Sequence, residues 1–110
     1  MNIPNIESIH NEAQSAAQQA SKMFADKYFD GSDGGPCGFA WVNVYKVRSN
    51  SKLGKALASV GFRKSYDGGL QLWNRWWPGQ SVDAAEHGAV AYAAVLKNHG
   101  IEAYAGSRLD

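Results

Sequence analysis

The segment at residues 39–47, FAWVNVYKV, alternates large aromatic side chains with aliphatic ones, and this pattern constrains the fold more than any other feature of the chain. Successive side chains of a β-strand point to opposite faces of its sheet. One face of this strand therefore carries Phe39, Trp41 and Tyr45, while Ala40, Val42 and Val44 lie on the other. Because both faces hold apolar groups, the pattern predicts a central strand with material packed on each side.

The segments after this strand carry alternating helix and strand signals. Helical spacing at residues 52–60 and 82–99 is preceded by serine caps and followed by a glycine stop, whereas residues 62–66, 70–76 and 101–105 are typical of strands. Asp67-Gly68-Gly69 is a hairpin turn signal. The order β-α-β-β-α-β predicts an α+β domain with a ferredoxin-like sheet, whose first and third strands lie side by side in the middle.

A different fold is the alternative. The stretch LASVGFRKSY resembles the turn before a late strand in acetyltransferases. The glycine-rich pyrophosphate loop of that family has no counterpart in this sequence, and 110 residues is short for such an enzyme.

An additional helix precedes the α+β core in what we expect to be a single domain of 110 residues. The predicted parts are an N-terminal helix (1–29), a glycine-rich loop (30–38), the core (39–105) and a polar tail (106–110). Apolar residues recur in the helix at spacings of three and four: Ile6, Ile9, Ala13, Ala16, Ala20 and Met23. Alanine buries little area, so the helix needs a larger surface to pack on. We expect this stripe to cover the aromatic face of the sheet.

If the aromatic face is instead uncovered, it forms a binding surface. Trp41 and Tyr45 would lie beside Trp73 and Arg75 of the third strand, and aromatics on adjacent central strands next to a cation can stack nucleic-acid bases. The arrangement is similar to that of RNA-recognition-motif domains, although the basic-Gly-aromatic-Gly-aromatic run of that family is missing. Trp77, just before a proline, is predicted to be partly exposed, and tryptophan beside arginine is typical of protein interfaces.

Charge is unevenly distributed although the net charge is only +1. Residues 34–66 contain no acid and six bases: Lys46, Arg48, Lys52, Lys55, Arg63 and Lys64. Basic side chains near a helix N-terminus can hold a phosphate or an acidic partner, and the alternative is a solvated surface that keeps the protein soluble. The molecule as a whole has no electrostatic reason to bind a membrane, and no window approaches 18 apolar residues, so we expect a cytoplasmic protein.

Catalytic and metal-binding constellations are incomplete. The one cysteine, Cys37, excludes an intramolecular disulfide, and the only base suggested for it is His87. Asp83 stands four residues before His87, a spacing that more often stabilises a helix than orients an imidazole for catalysis. We predict no metal site and no cofactor.

Three stretches carry a resemblance to a known group of proteins: PCGFAWVNV (36–44), KLGKALASVGFRKSYDGGLQLWN (52–74) and AYAGSRLD (103–110). Together they resemble small uncharacterised proteins of tailed bacteriophages over residues 35–110. The resemblance implies a virus-encoded protein in the bacterial cytoplasm, and no activity comes with it.

Three functions follow as hypotheses. The first is a non-enzymatic protein that binds a protein partner, either a host protein or its own copy, through the aromatic and basic residues. The second is single-stranded nucleic-acid binding, with Trp41, Tyr45 and Trp73 stacking bases while the basic segment holds phosphates. The third is a small enzyme that uses Cys37 or His87.

Overall fold

A computed structural model describes residues 5–65 and 68–110, which form an α+β domain of three helices and a four-stranded sheet. In chain order the elements are α1 (Ile6–Phe29), β1 (Gly38–Val44), α2 (Lys52–Ser59), β2 (Arg63–Lys64), β3 (Leu70–Trp73), α3 (Val82–Asn98) and β4 (Ala103–Leu109). The predicted hairpin turn includes residue 67, which lies outside the described residues.

The sheet has the strand order β2-β3-β1-β4, and each neighbouring pair is antiparallel. The first and third strands lie side by side, as predicted, with Trp41 opposite Trp73 and Val44 opposite Leu70. On its other side β1 pairs with β4 over its whole length, from Gly38 to Val44. β1 is therefore the central strand that its two apolar faces indicated.

Each helix begins directly after a capping side chain. The side chains of Asn5, Ser51 and Ser81 each accept a hydrogen bond from a backbone N–H three residues ahead. Each cap satisfies one of the N–H groups that the first turn of a helix leaves without a partner. The predicted starts of α2 and α3 are thereby confirmed, and α1 begins at Ile6, inside the predicted range of 1–29.

Strands β1, β3 and β4 end at different places from those predicted, and β1 stops at Val44 instead of residue 47. β3 stops at Trp73 because the Asn74 side chain accepts hydrogen bonds from the backbone N–H groups of Trp76 and Trp77, which turns the chain. The predicted polar tail at residues 106–110 is wrong, since β4 continues to Leu109. The backbone N–H of Asp110 still donates to the carbonyl of Cys37, at 3.0 Å. Pairing with β1 stabilises this end of the chain despite its polar composition.

The aliphatic face of the sheet packs on the helix layer and forms the core. Val42, Val44 and Leu72 are fully buried, as are Tyr92 and Leu96 of α3. Burial of an aliphatic side chain of this size contributes about 1.5–3 kcal/mol. Ser107 of β4 also donates a hydrogen bond to Glu86 of α3, which ties the edge strand to the same helix.

The N-terminal helix lies against α3 and not on the aromatic face of the sheet, so the predicted docking of α1 was wrong. The buried side chains of α1 are Ile6, Ile9, Ala13, Ala17, Ser21 and Ala25, while Met23 is 70% exposed. Small residues of α3 let the two helices approach closely. Ser21 donates a 2.7 Å hydrogen bond to the carbonyl of Ala84, and a Cβ on Gly88 would overlap the Ser21 hydroxyl.

A polar contact secures the first turns of α1 to the core. His10 Nδ1 lies 2.6 Å from the hydroxyl of Tyr92, whose ring is fully buried. Burial lowers the pKa of His10, and the positive charge of Arg75 lowers it further. Burial raises the pKa of Tyr92. The neutral imidazole is therefore favoured beside a protonated phenol, which suits a single shared hydrogen bond.

Candidate functional site

The side of the sheet away from the helices, here called the open face, faces solvent. All four strands contribute residues to it. They are Phe39, Trp41 and Asn43 of β1, Tyr45 just after β1, Arg63 of β2, Gln71 and Trp73 of β3, and Tyr104, Gly106 and Arg108 of β4. These residues share one side of the sheet because residues directly opposite each other on neighbouring strands lie on the same face, as do residues two apart along one strand. Since α1 packs on α3, no described helix covers these groups.

Three aromatic rings cluster at one end of the open face, with Trp73 in contact with the other two. The ring centroids of Trp41 and Trp73 are 5.0 Å apart, and Phe39 meets Trp73 edge-on at 5.9 Å. Phe39 is 39% exposed and Trp73 is 43% exposed. Pairwise contacts of this kind hold the rings in place while leaving part of each ring accessible.

A glycine on the neighbouring strand sets the position of the Trp41 ring. A Cβ on Gly106 would lie 2.4 Å from the indole nitrogen of Trp41 and 2.6 Å from an adjacent ring carbon. The missing side chain therefore lets the indole lie over the β4 backbone. The ring is half-buried, and it extends the aromatic surface from β3 across β1 toward β4.

Two tyrosines extend the aromatic surface to the other end of the open face. The rings of Tyr45 and Tyr104 are 6.1 Å apart, and Tyr104 is 43% exposed. Between the two aromatic groups, the Gln71 amide donates a 3.0 Å hydrogen bond to the side-chain oxygen of Asn43. The centre of the face is thus polar and its ends are aromatic.

Cations flank these rings. The guanidinium carbon of Arg108 lies 5.4 Å from the Phe39 ring centroid, and Lys97 of α3 reaches over the Tyr104 ring at 4.6 Å. Arg63 is exposed opposite Gln71 in the register. Cation–π contacts of this kind hold a positive charge close to the exposed rings.

An open cleft with basic walls lies at the end of the sheet where β1 finishes. Its volume is about 520 Å³, and its lining includes Lys46, Arg48 and Lys64 together with backbone of residues 49–50 and 68–69. Lys46 has a left-handed backbone conformation, with φ of 63°, which is uncommon for a residue with a side chain. The cleft borders Tyr45, since a Cβ on Gly69 would lie 3.1 Å from that ring.

The predicted site residues therefore divide into those that the structure brings together and those that it separates. Trp41, Tyr45, Trp73 and Arg63 belong to the open face, and Arg48 and Lys64 line the adjoining cleft. Lys52 and Lys55 are exposed on α2. The predicted position of Arg75 beside Trp73 was wrong, because the strand alternation ends at Trp73 and the guanidinium lies against Gly61.

Trp77 contacts the glycine-rich loop and does not lie on the open face. Its indole N–H donates to the Asp33 carboxylate at 2.8 Å, and the ring is half-buried against the core. The backbone N–H groups of Gln80 and Ser81 donate to the same carboxylate, each at 2.8 Å. Burial alone would raise the pKa of Asp33, but these three hydrogen bonds outweigh it and lower the pKa.

Asp33→Ala should destabilise the protein near pH 7 by about 1–2 kcal/mol, because hydrogen bonds to a charged group are lost at a position exposed to solvent. Since the folded-state pKa of Asp33 is lowered, this contribution is complete above about pH 5 and is lost as the pH falls through the lowered pKa. Urea unfolding of wild type and variant should thus give a difference in the free energy of unfolding that disappears as the pH is lowered. Asp33→Asn, which keeps one acceptor oxygen, should fall between them, and a difference independent of pH would contradict this role.

Cys37 and His87 have different partners. The Cys37 thiol is exposed and lies 3.5 Å from the side-chain oxygen of Gln80. The His87 ring stacks on Phe24 with centroids 4.1 Å apart, and its Nδ1 lies 2.9 Å from the backbone carbonyl of Asp83. Within residues 5–65 and 68–110, no cluster of three histidine, cysteine or acidic side chains could hold a metal ion.

Sequence reasoning missed the contribution of β4 to the open face. Arg108 falls in the predicted tail, and Tyr104, although in the predicted strand 101–105, is absent from the predicted binding residues. The available signal was the period-two placement of Tyr104, Gly106 and Arg108, which puts all three on one face of a strand.

Comparisons with protein-family models, with curated proteins and with solved structures found no match for this chain. None of the helices in the described ranges combines the length and the hydropathy needed to span a membrane. The open face and the basic cleft are therefore the features of this chain that indicate a function.

Proposed function

We propose that this protein binds single-stranded nucleic acid on the open face of its sheet. The observation that carries the proposal is the cluster in which Trp73 contacts both Phe39 and Trp41, on a face that α1 does not cover. Unpaired bases stack on exposed aromatic side chains, and each such contact contributes about 1–3 kcal/mol. Stacking does not distinguish strongly between the four bases, so we expect a preference for single strands over duplexes and no sequence specificity.

The second support is the position of the cations. Arg108 and Arg63 lie on opposite sides of the open face, and the cleft with Lys46, Arg48 and Lys64 continues from the Tyr45 end. A strand whose bases stack along the face can place its phosphates toward these groups. The net charge of only +1 fits a local arrangement of this kind, because the attraction comes from cations around the open face and not from the whole molecule.

The finer description of the fold and the biological setting are part of the proposal. We propose a ferredoxin-like arrangement with an added N-terminal helix, supported by the order β2-β3-β1-β4 and by the helices that follow β1 and β3. The resemblance of residues 35–110 to proteins of tailed bacteriophages supports action in the cytoplasm of an infected bacterium.

Fluorescence anisotropy of a labelled single-stranded oligonucleotide tests the function. Binding should weaken with salt, with a slope of log K against log salt of about −2 to −3 for three to four phosphate contacts. Arg63→Gln should weaken binding and make the slope shallower by about 0.7. The matched control is Lys22→Gln on α1, which should change neither value. No binding at low salt, or binding that ignores salt, would contradict the proposal.

A protein partner on the same surface is the second candidate. The observation that favours it is the Phe39 end of the face, where an arginine stacks on a phenylalanine beside an exposed tryptophan. Residues of these types dominate the energies of protein interfaces. Oligonucleotide binding that fails while Trp73→Ala still abolishes capture of a specific host protein would select this candidate.

A further inference from the structure

The outer strand β4 leaves one edge of the sheet unpaired. Cys37 and Asp110 are opposite each other in the register, and the Asp110 N–H donates to the Cys37 carbonyl. Because backbone groups of an antiparallel strand point alternately to its two sides, the even-numbered residues of β4 face β1 and the odd-numbered ones face away. The outward-facing residues are Ala103, Ala105, Ser107 and Leu109, and in the described ranges their backbone groups meet no partner.

This edge lacks most of the features that protect a free strand. β4 has seven residues and no proline, and Leu109 at its end is 67% exposed. The nearby protective group is the flexible side chain of Lys97, which reaches over Tyr104. A long free edge of this kind is a template for pairing with another strand.

We infer that β4 pairs antiparallel with β4 of a second copy of this chain, across a two-fold axis, so that two sheets join into one. Only outward-facing residues can exchange hydrogen bonds, so the possible centres of symmetry near the middle of the strand are Ala105, Gly106 and Ser107. These three registers differ in which side chains they place opposite each other.

Charge selects the register centred on Ala105. It places Glu102 opposite Arg108 of the second copy, and the same pair forms again on the other side of the axis. Centring on Gly106 would instead place Glu102 opposite Asp110, two acids, and like charges directly opposite each other are destabilising. Centring on Ser107 would place Arg108 opposite Gly106, so that this arginine would have no acid opposite it.

Side-chain size and accessibility agree with this register. Ala105 would face its own copy and Ala103 would face Ser107, so only small groups meet on the helix side. On the open face, Tyr104 would lie opposite Gly106 of the second copy, where only the indole of Trp41 covers the backbone. The carboxylate of Glu102 accepts a 2.9 Å hydrogen bond from the Tyr104 hydroxyl on one oxygen, and Lys46 lies 3.7 Å from the other. The Lys46 side chain is 82% exposed, so this ion pair is weak.

Sedimentation equilibrium of the full chain at about 1–100 µM, a range suited to weak association, tests the inference through charge reversal. Wild type should show a concentration-dependent dimer. Glu102→Arg and Arg108→Glu should each weaken dimerisation by about tenfold, because each converts two opposite-charge pairs into like-charge pairs. The double variant should restore the dimer, since the pairs are then reversed but complementary.

Two further variants separate edge pairing from general effects. Ala105→Pro removes an outward N–H without breaking the β1–β4 ladder and should give a folded monomer, with folding checked by near-UV circular dichroism. Lys22→Glu on α1 should leave the dimer unchanged. A wild type that stays monomeric over the whole range, or a double variant as weak as the single ones, would overturn the inference. This test does not involve nucleic acid, so it is independent of the proposed function.

Discussion

Trp73→Ala should weaken the binding of single-stranded oligonucleotides by about 5- to 150-fold. Trp73 touches both other rings at its end of the open face and is itself accessible, so its loss removes one stacking surface and frees its neighbours. The expected factor corresponds to about 1–3 kcal/mol for one stacked base. Anisotropy titrations at a single low salt concentration give the ratio of dissociation constants directly.

The control for this prediction is an aromatic residue of similar exposure elsewhere. Tyr28 is exposed on α1, which packs on the opposite side of the molecule from the open face. Tyr28→Ala should bind as wild type does, and Trp73→Phe should retain most of the affinity because a ring remains. Affinities of Trp73→Ala and wild type that agree within twofold would show that bases do not stack at this position.

Gly88→Ala should destabilise the protein by about 1–3 kcal/mol, although the same change at an exposed helical position stabilises by about 1 kcal/mol. A Cβ at this position would lie 2.2 Å from a ring carbon of Trp76 and 2.5 Å from the hydroxyl of Ser21. Neither group can retreat easily. The Trp76 indole donates to the carbonyl of Ala85, and the Ser21 hydroxyl donates to that of Ala84. Steric overlap therefore outweighs helix propensity.

Chemical denaturation measures this change in the free energy of unfolding. Its sign shows whether steric overlap or helix propensity is the larger effect. Val90→Ala, on the exposed side of the same helix, is the matched control and should change the free energy of unfolding by less than about 0.5 kcal/mol. An increase in stability for Gly88→Ala would mean that α1 does not pack on α3 as described. In that case α1 would be available to cover the open face.

The elements with strong periodicity could be predicted from the sequence. β1 was recognisable because Phe39 and Trp41 alternate with aliphatic residues. The three helices were recognisable because serine or asparagine caps precede regular apolar spacing. The aromatic side chains of Trp41, Tyr45 and Trp73 share a face for the same reason. These features depend on neighbours in the chain, which a sequence displays directly.

The features that could not be predicted depend on contacts between distant segments. An alanine stripe shows which side of α1 is buried but not what it packs on, and the deciding residue is Gly88, far along the chain. The length of β4 is set by its pairing with β1, and the polar residues at its end carry no local signal of that pairing. Arg75 does not lie on the open face because Asn74, one residue earlier, turns the chain through its side-chain hydrogen bonds. Alternation of residue types does not reveal these bonds.

Backbone amide chemical shifts, followed by NMR during titration with a short single-stranded oligonucleotide, locate the binding surface residue by residue. We expect shifts that follow the open face, with Trp41, Trp73 and Tyr104 affected together with the cleft around Arg48 and Lys64. Amides of α1 and the outer side of α3 should stay in place. Shifts confined to α1 or to the loop around Asp33, or no shifts at all at low salt, would contradict the proposal that the open sheet face binds nucleic acid.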